Sequence, residues 1–297
     1  VPFPFWLPAA RVAPTPVSAY LHAATMVKAG VFLLGRMHPL FGEAPLWAPT
    51  LVVVGTVSMV LGAYQAFGET DLKAILARTT ASALGTITLL YGLGVTGGDS
   101  LAILNHALYK GALFLVAGIV EHHAHTRRLD ELGGLRRALP IAFVTCAVAS
   151  LSMAGFPPLL GFVAKDALFA ELLKAPFLVE RPVLQGAVLA ASLATSALLV
   201  GVAGKLTLGV FLGREPHRHG HEKQHAGGLP LWPSPALLSA GALGLGLASL
   251  GHFTSDLVAA TASGHGDEVH VSLIPPLGLA FFTSLVALGL GIVTYQK

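Results

Sequence analysis

The sequence predicts an all-α, polytopic bundle of transmembrane helices that contains a discontinuous helix. Three observations predict it. Of 297 residues, 54% are hydrophobic and only 11% are charged, against about 25% charged in soluble domains. Apolar runs recur along the chain at the length, about 20 residues, that a helix needs to cross a bilayer core of roughly 30 Å. One of those runs is cut by Pro157 and Pro158. The 34 glycines and 19 prolines fit the same class, because neighbouring membrane helices re-satisfy backbone bonds that these residues break. Barrel strands would alternate apolar and polar residues over about ten positions, whereas these runs are apolar all round.

Taken in order, spans are expected at about 17–38, 50–68, 82–97, 101–121, 140–176, 184–212, 235–259 and 275–296. The fifth is too long for one crossing. Within it Gly155-Phe-Pro-Pro-Leu-Leu-Gly161 removes two amide donors, so two half-helices joined inside the membrane are expected, with a proline kink as the plainer alternative. Alternate loops differ in charge. One set holds Lys73, Arg78, Arg127, Arg128, Arg136, Arg137, Arg214, Arg218 and Lys223; the other holds Arg36, Lys174 and Arg181. The basic-rich set is assigned to the cytoplasm. The net charge of +3 therefore reflects loop topology and implies no nucleic-acid partner. The single cysteine, Cys146, makes no internal disulfide. No phosphate-binding glycine loop and no nucleophile–histidine arrangement stands out, so no cofactor is expected.

Charges within the apolar runs carry the functional signal, since one at the bilayer centre costs about 2.5–3.5 kcal/mol on insertion scales. Lys28 lies mid-span, and His22 is six residues earlier, about 120° away around an ideal helix. The two border one polar seam without necessarily sharing a face, and His22 alone fits equally a core histidine satisfied by a carbonyl. His106 and Lys110 are i and i+4 on the fourth span and stack on one face. Lys165 follows the Pro157-Pro158 break, where half-helix ends leave backbone groups free to solvate a charge. Asp166, adjacent to it, points to another face, and Lys205 sits late enough in its span to snorkel to the cytoplasmic surface. Lysine suits proton relay because burial disfavours its charged form. Two ammonium groups about 7 Å apart also oppose each other by roughly 2.4 kcal/mol at an effective dielectric near 20. Glu121-His122-His123-Ala-His125 and the histidines from His217 to His225 read as solvated cytoplasmic loops, with no zinc pattern. His252, Asp256, His265, Asp267, Glu268 and His270 crowd the opposite side, near the loop between the last two spans. No metal site is expected.

Several runs resemble the antiporter-like membrane subunits shared by Mrp-type Na⁺/H⁺ antiporters and the membrane arm of respiratory complex I. They are Phe3 to Pro8 and Ala13 to Gly30, Thr70 to Arg78, Asn105-His106-Ala-Leu-Tyr-Lys110, Gly133 to Arg136, and Ala154 to Asp166. They cover roughly residues 1–175, and Met26-Val-Lys28-Ala-Gly is most similar to the large A-type subunits of the Mrp group. The resemblance implies two inverted bundles of five helices, each with one discontinuous helix. Residues 1–16 would then end a broken helix of the first bundle. Residues 17–180 would form the second bundle, and 181–297 would add C-terminal spans, in an internal fragment of a longer chain. It further implies that Lys28 is a connecting lysine with His22 beside it, that His106 and Lys110 form the central relay, and that Lys165 stands near the exit. The first bundle's lysine and glutamate would lie upstream of Val1, and Ala164 stands where serine is common. The implied function is proton conduction within a multisubunit Na⁺/H⁺ antiporter, multi-pass in a bacterial inner membrane, with other subunits, lipid, H⁺ and Na⁺ as partners. A proton-pumping subunit of complex I or of a membrane-bound hydrogenase is the alternative; a non-transporting scaffold would tolerate neutral replacement of the buried lysines.

Overall fold

The computed structural model describes residues 14–94, 98–214, 231–251, 253–261 and 278–296, and all of its regular elements are helical. We number them α1 (Thr15–Phe41), α2 (Trp47–Gly68), α3 (Leu72–Gly92), α4 (Gly98–Ala124), α5 (Pro140–Ala154), α6 (Leu160–Lys174), α7 (Pro182–Leu212), α8 (Pro233–Ala248), α9 (Phe253–Thr261) and α10 (Leu279–Gln296). The helices α1, α2, α3, α4 and α7 are each long and apolar enough to cross a membrane, whereas α5, α8 and α10 are apolar but shorter. Of the eight expected spans, five correspond to single full-length helices, the fifth to α5 and α6, the seventh to α8 and α9, and the eighth to α10. Of the expected terminal segment 1–16, residues 1–13 lie outside the described residues, and Thr15 opens α1.

Local chemistry sets the boundaries. Proline at the first or second position starts α5, α7 and α8, where its missing donor would be unpaired in any case. Asp71 caps α3 by accepting a 2.9 Å hydrogen bond from the Ala74 amide. This cap starts α3 ten residues earlier than expected, so Lys73 and Arg78 are helical and not in a loop. Both charges are neutralised there, Lys73 by Glu121 at 2.8 Å and Arg78 by Glu69 at 3.1 Å. Likewise α4 runs to Ala124, so Glu121, His122 and His123 occupy its final turns. The expected seventh span is divided, with α8 ending at Ala248 and α9 beginning at Phe253.

The expected interruption is present. Helix α5 stops at Gly155, whose φ of +79° is left-handed, and the Pro157–Pro158 bond is cis. Helix α6 restarts at Leu160. The two halves touch through backbone: a Cβ on Gly161 would fall 1.7 Å from the Ser152 carbonyl oxygen. Helix α8 covers the break, since a Cβ on Gly246 would lie 2.2 Å from the Pro158 carbonyl oxygen. A second interruption has no such signal in the sequence. Helix α1 widens into a π turn at Tyr20–Ala24 and breaks at Thr25, whose φ and ψ are −124° and −83°. Helix α7 contains a similar turn at Lys205–Gly209.

Helices α2 and α3 form an antiparallel pair in backbone contact. A Cβ on Gly55 would sit 2.5 Å from the Leu89 nitrogen, on Gly62 2.5 Å from the Ser82 nitrogen, and on Gly85 2.4 Å from the Met59 nitrogen. Phe67, near the end of α2, packs on Gly201 of α7, and Tyr295, near the end of α10, packs on Gly204. These contacts run α2, α7 and α10 in one direction, as the loop-charge alternation requires. The main core joins α3, α4, α5 and α7 around Ile75, Leu113, Phe114, Cys146 and Val202. Outward, Val53, Val57, Leu61 and Tyr64 form an exposed apolar strip along α2, suited to lipid or to another membrane subunit. At the basic end, Arg127 binds Asp71 at 2.6 Å, and a hydrogen bond from exposed Arg128 holds the Asp130 carboxyl below its ordinary range.

Candidate functional site

On α4 the residues Ile103, His106, Lys110, Phe114, Gly118 and Glu121 fall within one face of an ideal helix. Helix α1 runs antiparallel along that face. A Cβ on Gly118 would meet Thr15 at 2.6 Å, His22 stacks on Phe114 with centroids 4.9 Å apart, and Lys28 donates a 2.9 Å hydrogen bond to the Ile103 carbonyl. His22 and Lys28 both contact α4, and between them α1 carries a π turn and the break at Thr25. A regular helix would separate them by about 120°; the wider turn changes that phase.

Helix α3 closes the other side. The Lys110 ammonium donates a 3.0 Å hydrogen bond to the Leu76 carbonyl and another to the Thr79 hydroxyl. It also lies 5.6 Å from the centre of the Tyr109 ring. Lys110 has no exposed surface and Lys28 has only 7%. A buried ammonium is costly unless hydrogen-bonded, and backbone carbonyls supply the acceptors for both. His106 meets the Tyr109 ring edge to face at 5.4 Å and lies within electrostatic range of Lys110, Lys28 and His22. Both ring nitrogens of His22 and of His106 are buried without a hydrogen-bond partner among the described residues. The alternative of a core histidine held by a carbonyl is therefore not what the geometry shows for His22.

Lys165 stands apart from this group, beside the break. Its ammonium donates a 2.6 Å hydrogen bond to the carbonyl of Ala154, the last residue of α5. The aliphatic part of the side chain passes over Gly155, where a Cβ would come within 3.0 Å of it. Between Lys165 and the α4 face lies a buried polar pair: the Ser152 hydroxyl donates a 2.9 Å hydrogen bond to the Asn105 amide oxygen. Asn105 adjoins His106 in sequence, and Ser152 precedes Ala154 by two residues.

The remaining expected residues are placed differently. Asp166 has a buried Oδ1 with no hydrogen-bond partner among the described residues. Lys205 is partly buried, and its head group reaches the end of α2. It donates to the Phe67 carbonyl and lies over the Phe67 ring at 4.3 Å, so it caps the carbonyl end of α2. His217, His219, His221, His225, His252, His265, Asp267, Glu268 and His270 lie outside the described residues, and Asp256 is exposed on α9. Sequence reasoning missed Thr79, the Asn105–Ser152 pair and the Lys73–Glu121 ion pair. Threonines and serines in apolar helices usually bond their own backbone, so only the fold distinguishes Thr79 from its neighbours.

Residues 1–193 match the family described as NADH:quinone oxidoreductase/Mrp antiporter, transmembrane. The chain is 35% identical over 320 aligned residues to the A1 subunit of the Na⁺/H⁺ antiporter of Staphylococcus aureus strain JH9, covering 98% of this chain and 39% of that protein. It is 48% identical over 176 residues to the probable K⁺/H⁺ antiporter A/B subunit of Rhizobium meliloti, covering 58% of this chain and 18% of that protein. Among solved structures, the Mrp complex from Dietzia sp. DQ12-45-1b superposes with a TM-score of 0.83 at 34% identity, over 98% of this chain and 31% of that one. The chain thus spans well under half the length of the relatives it matches.

Proposed function

The chain belongs to the NADH:quinone oxidoreductase/Mrp antiporter transmembrane family, and from that premise we propose that it is a proton-conducting part of a cation/proton antiporter subunit. Protons pass between Lys28, His22, His106 and Lys110, and continue past Asn105 and Ser152 to Lys165. The observation that carries this reading is the gathering of two buried lysines and two buried histidines along the face of α4 between α1 and α3. Each lysine rests on neutral acceptors. Among the described residues no carboxylate holds its proton, which is free to leave when a second positive charge approaches. The names of the S. aureus and R. meliloti relatives support Na⁺ or K⁺ as the exchanged cation. The partners are the other subunits of a bacterial membrane complex, and the chain is a transporter component with no enzymatic step of its own.

The test uses the complete complex in everted membrane vesicles, with a pH-sensitive dye reporting cation-induced proton movement. Lys110→Ala and Lys165→Ala should each abolish the signal while the complex remains assembled. Unchanged proton movement in both would defeat the relay.

The family also contains NADH:quinone oxidoreductase subunits, which supports a second reading as part of a redox-driven proton pump. Cation-induced proton movement in vesicles without NADH favours exchange; movement that requires electron transfer favours the pump.

A further inference from the structure

The face of α4 that carries His106 and Lys110 does not end at Phe114. It continues three turns beyond Lys110 to Glu121, at the basic end of the bundle. There the Glu121 carboxylate meets the Lys73 ammonium at 2.8 Å, with Lys73 side-chain exposure at 5% and Glu121 at 34%. Lys73 precedes by one turn of α3 the Leu76 carbonyl and by two turns the Thr79 hydroxyl that hold Lys110. A buried ammonium and a half-exposed carboxylate therefore close the seam between α3 and α4 on the side that loop charge assigns to the cytoplasm.

From this geometry we propose that Lys73 and Glu121 form the cytoplasmic mouth through which protons reach Lys110; the inference rests on the relay reading above. Among the described residues, the groups that face Glu121 are Lys73 from α3, Arg127 of the loop after α4 at 3.7 Å, and the Thr15 hydroxyl of α1 at 3.3 Å. Arg127 is shared with Asp71. The carboxylate is reached by water and takes a proton from hydronium, giving a neutral acid and a water molecule. Lys73, its counter-charge lost, passes its own proton inward, through water, to the neutral amine of Lys110. The neutral Lys73 amine then takes the proton from the Glu121 acid, which restores the ion pair. One proton has entered and none has been created. Run in reverse, the same steps release a proton to the cytoplasm.

A purely structural ion pair predicts a different mutational pattern, and that difference is the test. Breaking a buried pair leaves one charge uncompensated, whereas removing both partners relieves it. The complete complex is assayed in everted vesicles as Glu121→Gln, Lys73→Met and the double variant Lys73→Met/Glu121→Gln, with the amount of assembled complex measured by native gel. Proton movement in the assembled double variant should fall at least tenfold, and in each single variant that assembles it should fall as far. A double variant within twofold of wild type would overturn the proposal and leave the pair a structural tie. Where a single variant fails to assemble, the double variant decides alone. If Lys110→Ala abolishes proton movement while the double variant retains it, the mouth is wrong and the relay stands. If neither change matters, both readings fall.

Discussion

The ammonium of Lys165 donates a 2.6 Å hydrogen bond to the carbonyl of Ala154, across the interruption that separates α5 from α6. The acceptor exists because α5 stops there. Gly155 takes a left-handed φ of +79° and leaves carbonyls at the end of α5 without helical partners. The residue that ends the helix also gives the lysine room to reach it, since a Cβ at position 155 would lie 3.0 Å from the Lys165 side chain.

Gly155→Ala therefore meets two penalties, a strained backbone of about 1–2 kcal/mol and a displaced Lys165. We expect the purified complex to melt at lower temperature and cation-induced proton movement to fall several-fold. A paired measurement of melting and vesicle activity checks this. Unchanged values for both would show that the lysine does not need its present position.

Thr79→Val removes one of two oxygens that hold Lys110 while keeping the shape of the side chain. The hydrogen bond to the charged amine is worth about 1.5–3 kcal/mol. Proton movement should drop, but less than in Lys110→Ala, because the Leu76 carbonyl remains. The dye assay on both variants side by side gives the ordering, and an equal loss in the two would contradict it.

Asn105 and Ser152 join α4 to the end of α5 by one buried hydrogen bond of 2.9 Å. Asn105→Leu leaves the Ser152 hydroxyl unpaired and should cost about 1–3 kcal/mol. Asn105→Leu/Ser152→Ala should recover part of that stability, yet not proton movement, if the pair lies on the route to Lys165. Chemical denaturation and vesicle assays on the single and double variants separate the two effects.

Gly55→Ala and Gly85→Ala place a methyl group 2.5 Å and 2.4 Å from backbone nitrogens of the facing helix. A flexible side chain could move aside; a helix backbone cannot. Each change should cost about 1–3 kcal/mol or more as overpacking, read as reduced assembled complex on a native gel. Gly30→Ala, where a Cβ would meet nothing within 4 Å, should leave assembly at the wild-type level.

Much of this architecture is legible in the sequence because hydrocarbon imposes simple rules. The deficit of charge gives the class, and Pro157-Pro158 marks the break between α5 and α6. His106 and Lys110 can be placed together because four residues make nearly one helical turn. What stays hidden depends on departures from regular helix and on partners distant in sequence. Nothing in Tyr20-Leu-His22-Ala-Ala24 announces a π turn, so the phase between His22 and Lys28 is set by an ideal helix that the chain does not follow. Lys73 and Glu121 look like loop charges because each sits near the end of an apolar run, and their pairing joins residues that only the antiparallel packing of α3 and α4 brings face to face. Lys205 has the position for snorkelling, but its acceptor, the Phe67 carbonyl at the end of α2, is 138 residues away in sequence and only the packing reveals it.

The glycine interlock between α2 and α3 fixes where motion can occur. With backbone against backbone at Gly55, Gly62 and Gly85, those two helices can neither slide nor rotate past one another without colliding. The oxygens of Leu76 and Thr79 that hold Lys110 thus belong to this interlocked pair. Helix is discontinuous instead at the π turn of α1 and at the junction of α5 with α6. His22, Lys28 and Lys165 lie on or beside those interruptions, whereas the acceptors of Lys110 sit on the interlocked pair.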